Sequence, residues 1–164
     1  MASWWAGKAR QFVRHLGGRV SGAERAALQG WLSAAQIDLL DAMHPADRRH
    51  GLDVLADLQA AGHEDRELLL AGLLHDASKG PTVGVWPRVA WALGEHYGAG
   101  IQRAAARLPG FAAALARIRD HPEQSARLAL AAGCSQRTAE LIRHQAAPLD
   151  PGAGEALRLA DLAN

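Results

Sequence analysis

The stretch Leu68-Leu69-Leu70-Ala71-Gly72-Leu73-Leu74-His75-Asp76-Ala77-Ser78-Lys79-Gly80 decides how the chain is read. Leu69, Leu70, Leu73 and Leu74 recur at helical spacing, which predicts a buried helix, with Asp65 as its N-cap. Ala71 and Gly72 lie one turn behind His75, and such small residues let another helix, or a metal ion, come close. The apolar run then stops at an imidazole and a carboxylate side by side, followed three residues on by a lysine. Two meanings are open at this point. One is an ordinary C-terminal histidine that complements the helix dipole, with an aspartate starting the turn. The other is a pair of metal ligands at the end of a buried element.

The 164 residues suffice for one domain with a real core. Hydrophobic residues make up 49% of the chain, much of it Ala and Leu, while strand-favouring residues are sparse. An all-α fold is therefore expected. The formal net charge of +1 argues against a nucleic-acid or membrane-surface binder. No apolar run is long enough for a membrane span, and the N-terminus lacks the apolar core of a signal peptide. Cys134 is the single cysteine, expected to be buried and inert, so neither an internal disulfide nor a thiolate metal cluster is expected. A cytoplasmic location follows as the expectation. Of the 18 basic side chains only Lys8 and Lys79 are lysines. A lysine directly after the His-Asp pair is thus informative in an arginine-rich chain, although a solvated loop charge is its ordinary alternative.

Outward from the central stretch, residues 3–16 predict an amphipathic helix with Trp4, Trp5, Phe12, Val13 and Leu16 as its apolar positions. Ser21 with Glu24 forms a capping box for a helix over 22–32, and Ser33 caps another over 34–43. These early helices, residues 1–44, are expected to pack on or cap a core domain spanning 45–164. Pro45 opens a helix that runs to about Ala61. There His50, Val54 and Leu58 share a face, so His50 points along the buried side, either as a satisfied core histidine or as a ligand. A helix containing Trp86, Val89 and Trp91 follows, expected over the mouth of the site. Residues 98–120 predict two short helices interrupted at Pro109-Gly110. Pro122 is placed at the first turn of a helix over 122–132, with His121 at its N-terminus. Ser135 caps a helix over 136–146 carrying His144, and a last helix from about 155 holds Asp161 within an apolar stretch. A carboxylate there needs a partner, a metal or an edge.

The polar residues that stand out are His50, His75, Asp76, His121, His144 and Asp161. Four imidazoles and two carboxylates can hold one or two divalent ions through nitrogen and oxygen alone, which suits Fe, Mn, Ni, Co or Zn. One carboxylate can bridge two ions about 3.5–4 Å apart.

In this order the residues resemble the HD-domain superfamily of metal-dependent phosphohydrolases. His75-Asp76-Ala77-Ser78-Lys79 resembles its His-Asp-x-x-Lys core, and Arg49-His50-Gly51-Leu52-Asp53-Val54 its first-histidine helix. His121-Pro122-Glu123-Gln124-Ser125-Ala126 is similar to the "His-Pro-Glu-x-Gly-Ala" segment of members with extra histidines, with Ser125 in the place of the glycine. Ala139-Glu140-Leu141-Ile142-Arg143-His144 resembles the following histidine helix, and Leu159-Ala160-Asp161 the final "Ala-Asp". The resemblance implies an HD-domain-like helical bundle over residues 45–164. It implies one metal on His50, His75, Asp76 and Asp161, a second ion shared by Asp76, His121 and His144, and Lys79 facing a substrate phosphate or the attacking water. The activity so implied is hydrolysis of a small phosphate ester or anhydride, a nucleotide being the expected substrate. Arg88, Arg119, Arg127 and Arg143 are candidate phosphate contacts, each with a surface cation as the alternative. Two other classes stay open: a di-iron oxygenase on the same fold, and a non-catalytic nucleotide- or partner-binding module with a structural metal.

Overall fold

The structure, a computed structural model, describes residues 20–80 and 83–164. The helix expected over 3–16, with its tryptophans, lies outside them. The described residues form nine helices and no strand. In chain order these are α1 (Gly22–Gln29), α2 (Ala34–Ala42), α3 (Pro45–Ala60), α4 (Arg66–Leu74), α5 (Val85–Tyr97), α6 (Gly100–Ala105), α7 (Phe111–Ala131), α8 (Gln136–Arg143) and α9 (Ala153–Ala163). The all-α fold expected from composition is present.

Helix α4 is the central element. Every residue from Leu68 to Leu74 is buried, and the helix packs against α3, α8 and α9. A residue without an exposed face needs apolar neighbours all round, which is why this segment is leucine on nearly every side. Asp65 caps α4 by accepting from the Glu67 N–H at 3.0 Å. Leu28, Leu32, Leu40 and Met43 from α1, α2 and the residues after them lie in the same buried cluster as α3 and α4. Both serine caps form complete capping boxes, Ser21 with Glu24 and Ser33 with Gln36. Cys134 is buried, and its burial pushes the thiol pKa up, as suits an inert core residue.

Two glycines govern how closely α3 and α4 approach. A Cβ on Gly51 would lie 2.3 Å from the Leu73 carbonyl oxygen, so the two backbones nearly touch there. A Cβ on Gly72 would lie 2.8 Å from Leu58 Cδ1 and 3.2 Å from Val54 Cγ1. The small residue behind His75 thus admits helix α3.

Helix α7 corrects the expected break at Pro122. It runs unbroken from Phe111 to Ala131 with the proline inside it. Pro122 cannot donate to the Ile118 carbonyl four residues back. The His121 ring does so instead: Nδ1–H donates to Ile118 O. The expected interruption at Pro109-Gly110 is present, with Gly110 at φ +77° ahead of α7.

Helix α5 is tied to the start of α3 by a buried ion pair. Arg88 Nη1 and Nη2 reach Asp47 Oδ1 and Oδ2 at 2.7 and 2.9 Å, and Asp47 is 2% exposed. Arg88→Ala strands that carboxylate, and removing one partner of a buried pair costs about 3–5 kcal/mol. A urea denaturation midpoint left unchanged in this variant would show that the pair does not secure α5.

Candidate metal centre

The central stretch delivers its two candidate ligands where α4 ends. His75 occupies the C-cap and Asp76 opens the turn that follows. Both are buried, at 1% and 2% exposure. His75 Nδ1–H donates to Gly72 O at 2.9 Å, so Nε2 is the nitrogen turned to the centre. Such anchoring of the far ring nitrogen to a backbone carbonyl is the usual support of a metal-ligating histidine. Nε2 itself has no hydrogen-bond partner, nor has Asp76 Oδ1. Two adjacent buried polar atoms left unpaired are costly unless something else is bound there.

Helix α3 brings His50 alongside. The His50 and His75 rings meet edge to face with centroids 5.1 Å apart. One ligand atom each from His50, His75 and Asp76 lies within 4.8 Å of the others, a group that can hold a metal ion. Asp161, from α9, joins them: Oδ1 is 2.8 Å from His50 Nε2 and 3.4 Å from His75 Nε2. The distances from His75 Nε2 to Asp161 Oδ1 and Asp76 Oδ1, 3.4 and 3.6 Å, are long for a hydrogen bond. They match the spacing of atoms sharing one ion, since two ligands each about 2.0–2.2 Å from a metal stand roughly 3.0–3.6 Å apart. The donor set therefore fits a divalent cation.

Charge follows the same geometry. Burial works against a charged His75, but the carboxylates of Asp76 and Asp161 outweigh it and push its pKa up to about 9. Burial would likewise raise Asp76, yet Lys79, His75 and His121 hold its carboxyl well below the usual range. For Asp161, too, burial is outweighed, here by His50 and His75, and its pKa is lowered. The centre thus holds two carboxylates and, without metal, a proton on His75. A metal must displace that proton, so apparent affinity should rise about tenfold per pH unit up to about pH 9. Stability of the metal-free protein moves the other way. A folded pKa raised above the ordinary 6.5 stabilises fully below pH 6.5 and is lost as pH climbs through 9. Melting curves in chelator should therefore fall between pH 6.5 and 9.5, and curves with saturating metal should not. Parallel curves would refute a proton at this position.

Lys79 Nζ lies 2.5 Å from Asp76 Oδ2, so the lysine holds one carboxylate oxygen and leaves Oδ1 to the centre. The turn carrying it is fixed from α7. Buried Ser125 accepts from the Ser78 N–H at 3.0 Å, and Ser78 Oγ donates to His121 O at 2.9 Å. Ser125 is thus a tie between α7 and the turn. Ser125→Gly removes the acceptor of a part-buried N–H and should lower stability by about 1–3 kcal/mol, read from the melting temperature of metal-free protein.

His121 reaches the centre from α7, its Nε2 3.3 Å from Asp76 Oδ1. His144 does not. It sits past the end of α8 with its ring turned back one turn, Nε2 3.3 Å from Glu140 Oε2, and its side chain is 34% exposed. The residue that meets His121 is Gln145, whose Nε2 is 2.9 Å from His121 Nε2.

The four candidate arginines are engaged by carboxylates. Arg88 holds Asp47, Arg119 holds Asp120, Arg127 holds Glu123, and Arg143 bridges Glu123 and Glu140. Gly51 and Gln145 are the residues that the candidate list lacked. Gly51 carried a legible signal, an isolated glycine inside a helical pattern directly after a candidate ligand, which marks a close backbone approach.

No helix among the described residues is long and apolar enough to cross a membrane. No family model matches the chain, and neither does any curated protein or solved structure.

Proposed function

We propose that the chain is a metal-dependent phosphohydrolase, acting on a small phosphate ester or anhydride, with a nucleotide as the substrate class. The observation that carries this reading is the pair of buried, unpartnered atoms His75 Nε2 and Asp76 Oδ1, with His50 and Asp161 beside them and a lysine on Asp76. It agrees with the resemblance of the His50, His75-Asp76 and Asp161 motifs to the HD superfamily.

His50, His75, Asp76 and Asp161 would hold the ion. A divalent ion in such a site lowers the pKa of a water from ~15.7 to about 7 and polarises a phosphoryl oxygen. The remaining work falls to the chain. Asp76 and Asp161 supply the negative charge that retains a cation. The Nδ1–H bond of His75 to Gly72 fixes its ring, so no reorientation is needed when a ligand arrives. Lys79 keeps Asp76 ionised and sets an ammonium at the edge of the centre, where it can meet a phosphoryl oxygen. The leucines of α4 that lead up to His75 are buried.

The test begins with protein purified without chelator. Elemental analysis should find metal, and hydrolysis of a panel of nucleotides and p-nitrophenyl phosphate esters should cease with chelator and return with added ion. Bound metal with no hydrolysis across the panel favours the binding module with a structural metal. Stoichiometric O₂ consumption with an organic substrate would point to the oxygenase.

A further inference from the structure

We propose that Gln145 limits the centre to a single ion: its side-chain amide occupies the nitrogen that His121 would otherwise offer to a second one. This inference rests on the metal-binding reading of His50, His75, Asp76 and Asp161.

Asp76 Oδ1 lies within reach of two imidazole nitrogens, His75 Nε2 at 3.6 Å and His121 Nε2 at 3.3 Å. The two histidines look alike at first. Each donates its Nδ1–H to the carbonyl three residues earlier, Gly72 O for His75 and Ile118 O for His121. In His121 this bond is imposed by Pro122, which lacks the N–H that the Ile118 carbonyl would otherwise receive. In both rings Nε2 is therefore the nitrogen whose lone pair a metal would take.

They differ in what meets that lone pair. His75 Nε2 is unpartnered. His121 Nε2 faces Gln145 Nε2 at 2.9 Å. Because His121 Nε2 is the accepting nitrogen, the amide must present its NH₂ to it, which assigns the amide orientation. Gln145 is 5% exposed, and its backbone N–H bonds Ile142 O at 3.3 Å, so its side chain approaches His121 from a fixed base.

Two further features close the His121 side. Asp76 Oδ2, the oxygen that a bridging carboxylate extends to a second ion, is held by Lys79 Nζ at 2.5 Å. His144 faces Glu140. With the amide so oriented, Gln145 Oε1 is turned from His121 Nε2 and buried without a hydrogen-bond partner. A second ion would then have Asp76 and His121 as its protein ligands among the described residues, and protein metal sites ordinarily supply at least three. The hydrogen bond from the Gln145 amide to His121 would also have to break first. His121 is then a positioning residue, holding Gln145 and, through its backbone carbonyl, Ser78.

The experiment counts ions. Wild type, His121→Ala, Gln145→Glu and Gln145→His are stripped with chelator, dialysed against Mn²⁺ and analysed for bound manganese. We expect one ion in wild type and in His121→Ala. A second ion is expected in the Gln145 variants, which add a third ligand beside Asp76 and His121, with a spin-coupled Mn²⁺ signal by electron paramagnetic resonance. Gln145→Glu is nearly isosteric, and far-UV circular dichroism and melting verify its fold. On the unaltered protein loaded with Zn²⁺, the ¹⁵N resonance of His75 Nε2 should move to a coordinated position and that of His121 Nε2 should not. Two ions in wild type, a coordinated His121 nitrogen, or a single ion in folded Gln145 variants would overturn the proposal. No ion in wild type would instead remove the metal-binding reading beneath it.

Discussion

Asp76→Asn is expected to abolish metal binding and turnover together. The substitution keeps the volume of the side chain, so the packing around a 2% exposed position is preserved. What it removes is charge. In wild type, Asp76 presents Oδ1 to the centre without any hydrogen bond, while Oδ2 neutralises Lys79. An amide supplies a neutral, weaker donor atom and leaves the ammonium of Lys79 without its carboxylate. That cation then repels an incoming metal. Loss of an outer-sphere partner already costs about 10–100-fold in metal affinity, and Asp76 would be a direct ligand while it is also the counter-charge of Lys79. The affinity should fall by more than about 100-fold, below what purification retains. Calorimetric titration with Mn²⁺ reads this directly, and phosphate release in parallel should be at background. Metal-dependent turnover surviving in Asp76→Asn would remove the His75-Asp76 pair from the reaction.

The parts legible in the sequence are those in which one segment carries its own signal. Leu68–Leu74 is apolar on all sides because α4 is surrounded, and the serine caps are local hydrogen bonds within four residues. His50 could be placed on a buried face because Val54 and Leu58 follow it at one-turn steps, and its ring does stand against His75. The parts not legible depend on which way a side chain turns at an element's end, or on a partner far along the chain. His144 and Gln145 are neighbours just past α8, and periodicity cannot say which of them turns inward; the contact with His121 spans 24 residues. Pro122 is compatible with a first helical turn, and its place mid-helix depends on a side chain, His121, replacing the missing backbone donor. Arg88 shows the same limit, for its partner Asp47 lies 41 residues earlier.

Gly51→Ala is the second change with a large expected effect, and it separates the fold's geometry from the ligands themselves. The added methyl carbon would lie 2.3 Å from Leu73 O and 3.2 Å from Leu73 C, both backbone atoms of a buried helix that cannot swing aside. Ordinary contact requires an opening of roughly 1 Å between α3 and α4. His50 adjoins Gly51 and moves with α3; His75 lies two residues beyond Leu73 and stays with α4. The opening therefore falls across the centre, between the two imidazoles that face each other at 5.1 Å. Overpacking of this kind costs about 1–3 kcal/mol and more when backbone must move, against which the better helix propensity of alanine returns about 1 kcal/mol. Denaturation in chelator should show a loss of about 2 kcal/mol or more, and Mn²⁺ affinity should fall with it. Gly72→Ala supplies the contrast on the same interface. Its Cβ meets the side-chain ends of Leu58, Val54 and Leu157, at 2.8, 3.2 and 3.9 Å, rather than backbone. That variant should fold with a smaller penalty and bind Mn²⁺ as wild type does. If Gly51→Ala instead folds and binds Mn²⁺ with unchanged affinity, the α3–α4 crossing does not set the His50 position, and the ligand geometry must be fixed from α9 through Asp161.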